Sequence, residues 1–157
     1  MLAFDDRGEF LKGVYAGAIA GMVRYSFREI LQVLGVTQFD TNSTSLGVLM
    51  NQAPPGLGAT VLGFIATLII GAFWGVVISF VFTIVLSHEQ YLLKGTLLGI
   101  GIWLFEFGFA AEAFGYPPEM LNGGLAEVTS ILVGLAIYGA ATAFLLKRFE
   151  VIRPSRP

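Results

Sequence analysis

The sequence predicts an all-α, polytopic membrane four-helix bundle, built as two helical hairpins of the same orientation. Three observations carry that expectation. Of the 157 residues 55% are apolar, and only 13% are charged against about 25% in ordinary soluble domains. Mean hydropathy is +0.77, more apolar surface than one domain of this length hides from water. Finally, four stretches each reach the roughly 20 mainly apolar residues that cross a hydrocarbon core as helix. Lipid is therefore the expected solvent, and the whole chain reads as a single integral membrane domain.

The first span, about residues 10–36, is the least apolar, because it carries Arg24, Arg28 and Glu29. The second, about 57–87, has no charge at all; as a helix it measures roughly 46 Å and must tilt or project. The third, about 92–114, contains Glu106 and Glu112, and the fourth, about 121–146, contains Glu127. Asp5, Asp6 and Glu9 make the start acidic, unlike the basic start of a cleaved signal peptide. In the loop 37–56, Asp40-Thr41-Asn42-Ser43 offers helix N-caps ahead of Leu46, Val48, Leu49 and Met50, and Pro54-Pro55 ends whatever forms. A short interfacial helix and an irregular loop are both open there. Asn42-Ser43-Thr44 matches a glycosylation sequon, a pattern common by chance. Pro117-Pro118 marks the second outside turn.

Apart from Arg24 and Arg28, the basic residues are Arg7, Lys12, Lys94, Lys147, Arg148, Arg153 and Arg156. They fall at the N-terminus, between spans two and three, and at the C-terminus. With four spans these segments share one side, and the positive-inside rule makes that side the cytoplasm. The expected location is a bacterial cytoplasmic membrane, crossed several times, with both termini cytoplasmic.

A repeat is legible. Leu11-Lys12-Gly13-Val14-Tyr15-Ala16-Gly17 recurs as Leu93-Lys94-Gly95-Thr96-Leu97-Leu98-Gly99, each opening an inside-to-outside span. Trp74-Gly75 with Phe80 is echoed by Tyr138-Gly139 with Phe144. Two parallel repeats, related by an axis along the membrane normal, explain this most simply. The competing account is that any cytoplasmic span entry favours Lys and any close-packed span favours Gly.

At 100° per residue, Gly13, Gly17, Gly21, Arg24 and Arg28 share an arc of about 80° on span one. Span two offers Gly63, Thr67, Gly71 and Trp74, with Gly75 beside them. Span three offers Gly95, Gly99, Glu106, Ala110 and Ala113, and span four Gly123, Glu127, Ser130, Gly134 and Ala141. Small residues let helix backbones approach in lipid, where association relies on van der Waals contact. The helix-packing glycines are thus Gly13, Gly17, Gly21, Gly71, Gly75, Gly95, Gly99 and Gly134. The charges belong where helices meet.

Two readings of those charges stand side by side. Arg24 and Glu106 each lie twelve residues beyond the repeated lysine, about 18 Å along a helix. In the structural reading, Arg24 pairs with Glu106 and Arg28 with Glu127, fixing which helices are neighbours. In the functional reading, the same groups with Ser130, Thr67 and Tyr138 line a polar path for protons, ions or a small solute. Glu29 and Glu112 point elsewhere, toward the outer headgroups.

Several chemistries are disfavoured. A net charge of −2 argues against nucleic acid, which needs a basic footprint. Without cysteine there are no disulfides, thiolate metal sites or Cys nucleophiles. The single histidine, His88, excludes a bis-His haem or a His-rich zinc site within the chain. It sits in Ser87-His88-Glu89, where a solvated turn is expected. The glycines show no P-loop lysine pattern, and Phe105, Phe107 and Phe109 read as lipid and neighbour contacts. No metal, cofactor or catalytic residue is expected.

The expected role is therefore a non-enzymatic membrane protein, a scaffold or accessory subunit of a membrane assembly. The alternative is a small proton- or ion-coupled permeation protein using the Arg/Glu cluster. Glycine stripes on all four spans are compatible with a homo-oligomer, and the accessory role implies a membrane protein partner.

Leu93-Lys94-Gly95 through Trp103, preceded by Gly71-Ala72-Phe73-Trp74-Gly75 and followed by Gly134 to Tyr138-Gly139, resembles small uncharacterised four-span bacterial membrane proteins of the YqhR and YagU type. The resemblance covers about two-thirds of the chain, mostly spans two to four, and rests on Gly and Lys placements. It implies a bacterial cytoplasmic membrane protein and brings no catalytic residues with it.

Overall fold

A computed structural model describes residues 8–38, 56–86, 88–110 and 124–152. The described chain is all-α, as the sequence predicts. Helix α1 runs Gly8–Val33, α2 Leu57–Ile84, α3 Tyr91–Trp103 and α4 Gly124–Arg148. From Leu104 to Ala110 α3 continues as a π-helix. The expected interfacial helix, the sequon, Glu112, Ala113, Pro117-Pro118 and Gly123 lie outside the described residues.

The helix ends follow local chemistry. After α1, Gly35 takes φ 71°, while Val36 N–H donates to the Leu31 carbonyl and Gly35 N–H to that of Gln32. This is the Schellman closure that a left-handed residue permits. It stops α1 three residues earlier than the apolar run suggests. Helix α2 opens at Gly56, with φ 114°, and ends at Ile84 rather than at 87. Helix α4 carries Glu127 in its first turn and Lys147 and Arg148 in its last, both favourable to the helix dipole. Beyond it, Val151 and Ile152 fold back and are buried.

Glycine governs the packing. Helices α1 and α2 run antiparallel with their backbones in contact. A methyl group at Gly17 would fall 2.7 Å from Gly75 Cα, and one at Gly13 3.0 Å from Val76 Cα. Helices α3 and α4 meet in the same way. A methyl at Gly139 would fall 2.9 Å from Gly99 Cα, and one at Gly99 2.8 Å from the Leu135 carbonyl carbon. The contact set of Gly13 and Gly17 with Gly75 thus recurs in Gly95 and Gly99 with Gly139, at the spacing of the sequence echo. Gly139 completes the second seam, and only its place after Tyr138 in that echo marked it beforehand. Gly71 and Gly21 also face each other, whereas Gly134 meets side chains, those of Arg24, Phe27 and Arg28.

The two hairpins join along α1 and α4, with α2 touching α4 more lightly. Among the described residues, α2 and α3 do not pack backbone to backbone. The core is thin, centred on Ala16, Ala20, Ile78, Ile131, Leu135 and Tyr138. Around it large apolar side chains point outward on every helix, among them Ile19 and Val23 of α1, Ile69 and Phe73 of α2, and Leu97 of α3. Water-soluble monomers rarely expose so many large apolar side chains. Three helices, Leu57–Ile84, Tyr91–Phe109 and Gly124–Arg148, are long and apolar enough to cross a membrane. Helix α1, with 26 residues, is long enough but carries Glu9, Lys12, Arg24, Arg28 and Glu29.

Candidate functional site

Arg28 is buried on α1 beside the first turn of α4. Its Nη2 donates to Glu127 Oε1 at 2.5 Å, and Nη1 donates to Ser130 Oγ at 2.5 Å. Ser130 Oγ in turn donates to the Glu127 carbonyl at 2.7 Å. The second carboxylate oxygen, Glu127 Oε2, accepts the backbone N–H of Gln38 at 3.1 Å. Both charged side chains are almost fully buried, at 3% and 1% exposure, and their hydrogen bonds link α1, the segment after it, and α4. This is the pairing that the structural reading expects. The Gln38 contact has no sequence signal, because a backbone N–H can come from any residue type.

One turn earlier on α1 the arrangement changes. Arg24 is half-buried, its Nε is enclosed without a partner, and it stands beyond ion-pair distance of Glu106. The close pair expected from the sequence does not form. Instead Glu106 Oε1 accepts the indole N–H of Trp74 at 2.7 Å. The physical reason is the π-helix. Extrapolating a straight α-helix aligns Glu106 with Gly95 and Gly99, but i→i+5 winding from Leu104 onward turns it away from that line. Glu106 arrives at the edge facing α2, where Phe105 also packs edge-on against the Trp74 ring at 5.8 Å between centroids. Arg24 and Glu106 still act on each other's charge across the centre, and Tyr138 acts on both.

The hydroxyls of the expected polar path go to backbone carbonyls. Tyr138 Oη donates to Gly71 O at 2.6 Å, from α4 across to α2. Thr67 Oγ1 donates to Gly63 O within its own helix at 2.9 Å. Trp74 and Tyr138, echoed positions in the sequence, therefore each donate across to the other hairpin. The importance of Trp74 as a donor was not read from the sequence, although its place in the echo was.

At the far end of the bundle, Lys12 and Lys94 near the start of their helices lie level with Lys147 and Arg148 at the end of α4. Lys147 Nζ sits 4.6 Å from the centre of the Tyr91 ring. His88 and Gln90 lie in the turn leading into α3, with Gln90 at φ 52°. Among the described residues no group of three or more His, Asp or Glu side chains is placed to hold a metal.

The comparisons with known proteins return no relative: no family model, no curated protein and no solved structure matches the chain.

Proposed function

We propose that this chain is a non-enzymatic protein of the bacterial cytoplasmic membrane, acting as a scaffold or accessory subunit of a membrane assembly. The observation that carries this reading is the Arg28–Glu127 cluster. Its charges and hydrogen bonds are closed on one another and on Ser130 and Gln38, so they fix helix adjacency and offer nothing to a passing solute. The glycine seams act in the same sense, because backbones in contact leave no aqueous gap between α1 and α2 or between α3 and α4. Helix α1 is read as the fourth span, since it lies antiparallel along both α2 and α4. With Lys12, Lys94, Lys147 and Arg148 at one end, that end is cytoplasmic. The recurring glycine contacts support a pair of repeated hairpins. Purification in mild detergent is the test. A stoichiometric membrane partner is the expected result, and a lone monodisperse species at native expression removes the accessory role.

A second reading, a small proton- or ion-coupled permeation protein, is favoured by one observation. Arg24 and Glu106 sit mid-span without a direct ion pair, and intramembrane ionisable residues are costly unless they serve a purpose. Liposomes loaded with a pH-sensitive dye decide it: the purified chain either dissipates an imposed proton gradient or leaves it intact.

A further inference from the structure

Two edges of the bundle are closed by backbone contact, α1 with α2 and α3 with α4, and a third, α1 with α4, by close helix packing through side chains. The fourth edge, between α2 and α3, is bridged at mid-span by side chains. Trp74 donates to Glu106 and packs against Phe105. The exposed Phe73 and Phe109 flank this bridge. Behind it lies Arg24, half-buried, with an enclosed Nε that has no acceptor. Glu106 itself belongs to a π-helix, a winding that costs backbone regularity and often marks functional positions.

We propose that Glu106 is a membrane-embedded proton-binding site, latched by Trp74, whose protonation loosens the α2–α3 edge. The groups that act on it are Trp74 from α2, through its hydrogen bond, and Arg24 from α1 and Tyr138 from α4, electrostatically. With Glu106 ionised, the Trp74 bond is charge-assisted, about twice as strong as a neutral one, and the carboxylate offsets the charge of Arg24 across the centre without a direct ion pair. When Glu106 takes a proton, the bond falls to ordinary strength. The centre then holds the uncompensated charge of Arg24 in a low dielectric, a state that draws in water or an anion. The latch and the charge balance weaken together, at the edge where the described helices do not pack closely. The inference rests on the membrane placement proposed above and holds for either reading of function, because binding a proton does not require passing it on.

The chain supplies its own reporter. It contains two tryptophans, and Trp103 Nε1 is enclosed without a hydrogen bond, so W103F breaks no hydrogen bond and leaves Trp74 as the sole tryptophan, excited selectively over tyrosine at long wavelength. The measurement is Trp74 emission and acrylamide quenching for the full-length W103F chain in lipid nanodiscs, from about pH 4 to pH 9, the range in which buried carboxyls titrate. The expected result is one titration step, with the acid form red-shifted and quenched several-fold more. Adding E106Q should hold the acid-like signal at every pH. A flat trace, or a step that survives E106Q, overturns the proposal. If E106Q does not fold, infrared difference spectra of the otherwise unaltered chain with 13C-labelled glutamate take its place. A protonated carboxyl band that appears on acidification and shifts in W74F supports the site, and a band unmoved by W74F overturns it. A flat fluorescence trace with proton flux in liposomes removes this site while leaving the permeation reading standing, so the two failures are distinguishable.

Discussion

Arg24 and Arg28 are one helical turn apart on the same face of α1, yet only Arg28 closes an ion pair. The difference lies in what each meets. Arg28 meets the first turn of α4, where Glu127 favours the positive end of the helix dipole and the free N–H of Gln38 completes the carboxylate. Arg24 meets the middle of α4, where the backbone is already paired and the neighbour is Gly134. Replacing Glu127 with Leu should therefore leave Arg28 buried and unpaired. The expected cost is about 3–5 kcal/mol by analogy with buried pairs in soluble proteins, read as a lower melting temperature in detergent. The double variant R28L/E127L should recover much of that loss, whereas additive losses would show that the two side chains do not act as a pair. The Trp74–Glu106 bond predicts a smaller effect. W74F should cost about 1.5–3 kcal/mol, as for a hydrogen bond to a charged group, and the same substitution should cost far less in an E106L background. At this scale the sequence was half legible. Glu127 was recognisable as the partner of Arg28 because both lie on glycine-marked faces, while the hydrogen bonds of Glu106 depended on a winding that no residue type announces.

The elements follow from glycine spacing and from the positions where that spacing lapses. Gly13, Gly17, Gly71 and Gly75, with Gly95, Gly99 and Gly139, stand where backbone meets backbone, and the LKGxxxG echo made most of them visible beforehand. Gly101 and Gly108 belong to the same α3 segment, but a methyl at either would meet nothing within 4 Å. This contrast is a direct test of the seams. G17L and G99L should prevent folding or strip the protein of its cooperative transition, because the added side chain meets main-chain atoms that cannot yield. G101L should leave stability within about 0.5 kcal/mol, as for an exposed substitution. Circular dichroism during thermal unfolding separates the outcomes, and equal damage at Gly17 and Gly101 would contradict the seams. The helix ends were less legible than the helices. The stop of α1 at Val33 comes from Gly35 in the left-handed region, which cuts off an apolar run that otherwise continues to Val36. The π-helix was not legible at all, since Leu104–Ala110 is as apolar and as helix-compatible as the residues before it.

At the scale of the whole molecule, the same chain must satisfy lipid outside and its own polar groups inside with very little core between. Outward-facing Ile, Leu, Val and Phe side chains on each helix answer the first demand. The second is answered by bonds that cross between hairpins: Arg28 to Glu127, Trp74 to Glu106, and Tyr138 to Gly71. The proposed topology, four spans with cytoplasmic termini, makes a labelling prediction. Cysteines at Ser43 and Pro118 should react with an impermeant thiol reagent added outside, while those at Gln90 and Ser155 should react only after lysis. Labelling of a cysteine at Ala3 from outside, together with those at Ser43 and Pro118, would mean that α1 lies on the membrane rather than across it. The crossing bonds make a second prediction. If each hairpin is a folded copy of one unit, cutting the chain in the turn at His88 should leave two pieces with intact glycine seams, α1–α2 and α3–α4. Coexpressed, these halves should copurify in mild detergent, because the α1–α4 contact and the crossing bonds reform without a covalent link. Loss of copurification on adding W74F and Y138F together, with each half still helical, would place the cohesion of the molecule in that reciprocal pair. Halves that never associate would mean that the connecting turn, and not the hairpin interface, holds the bundle together.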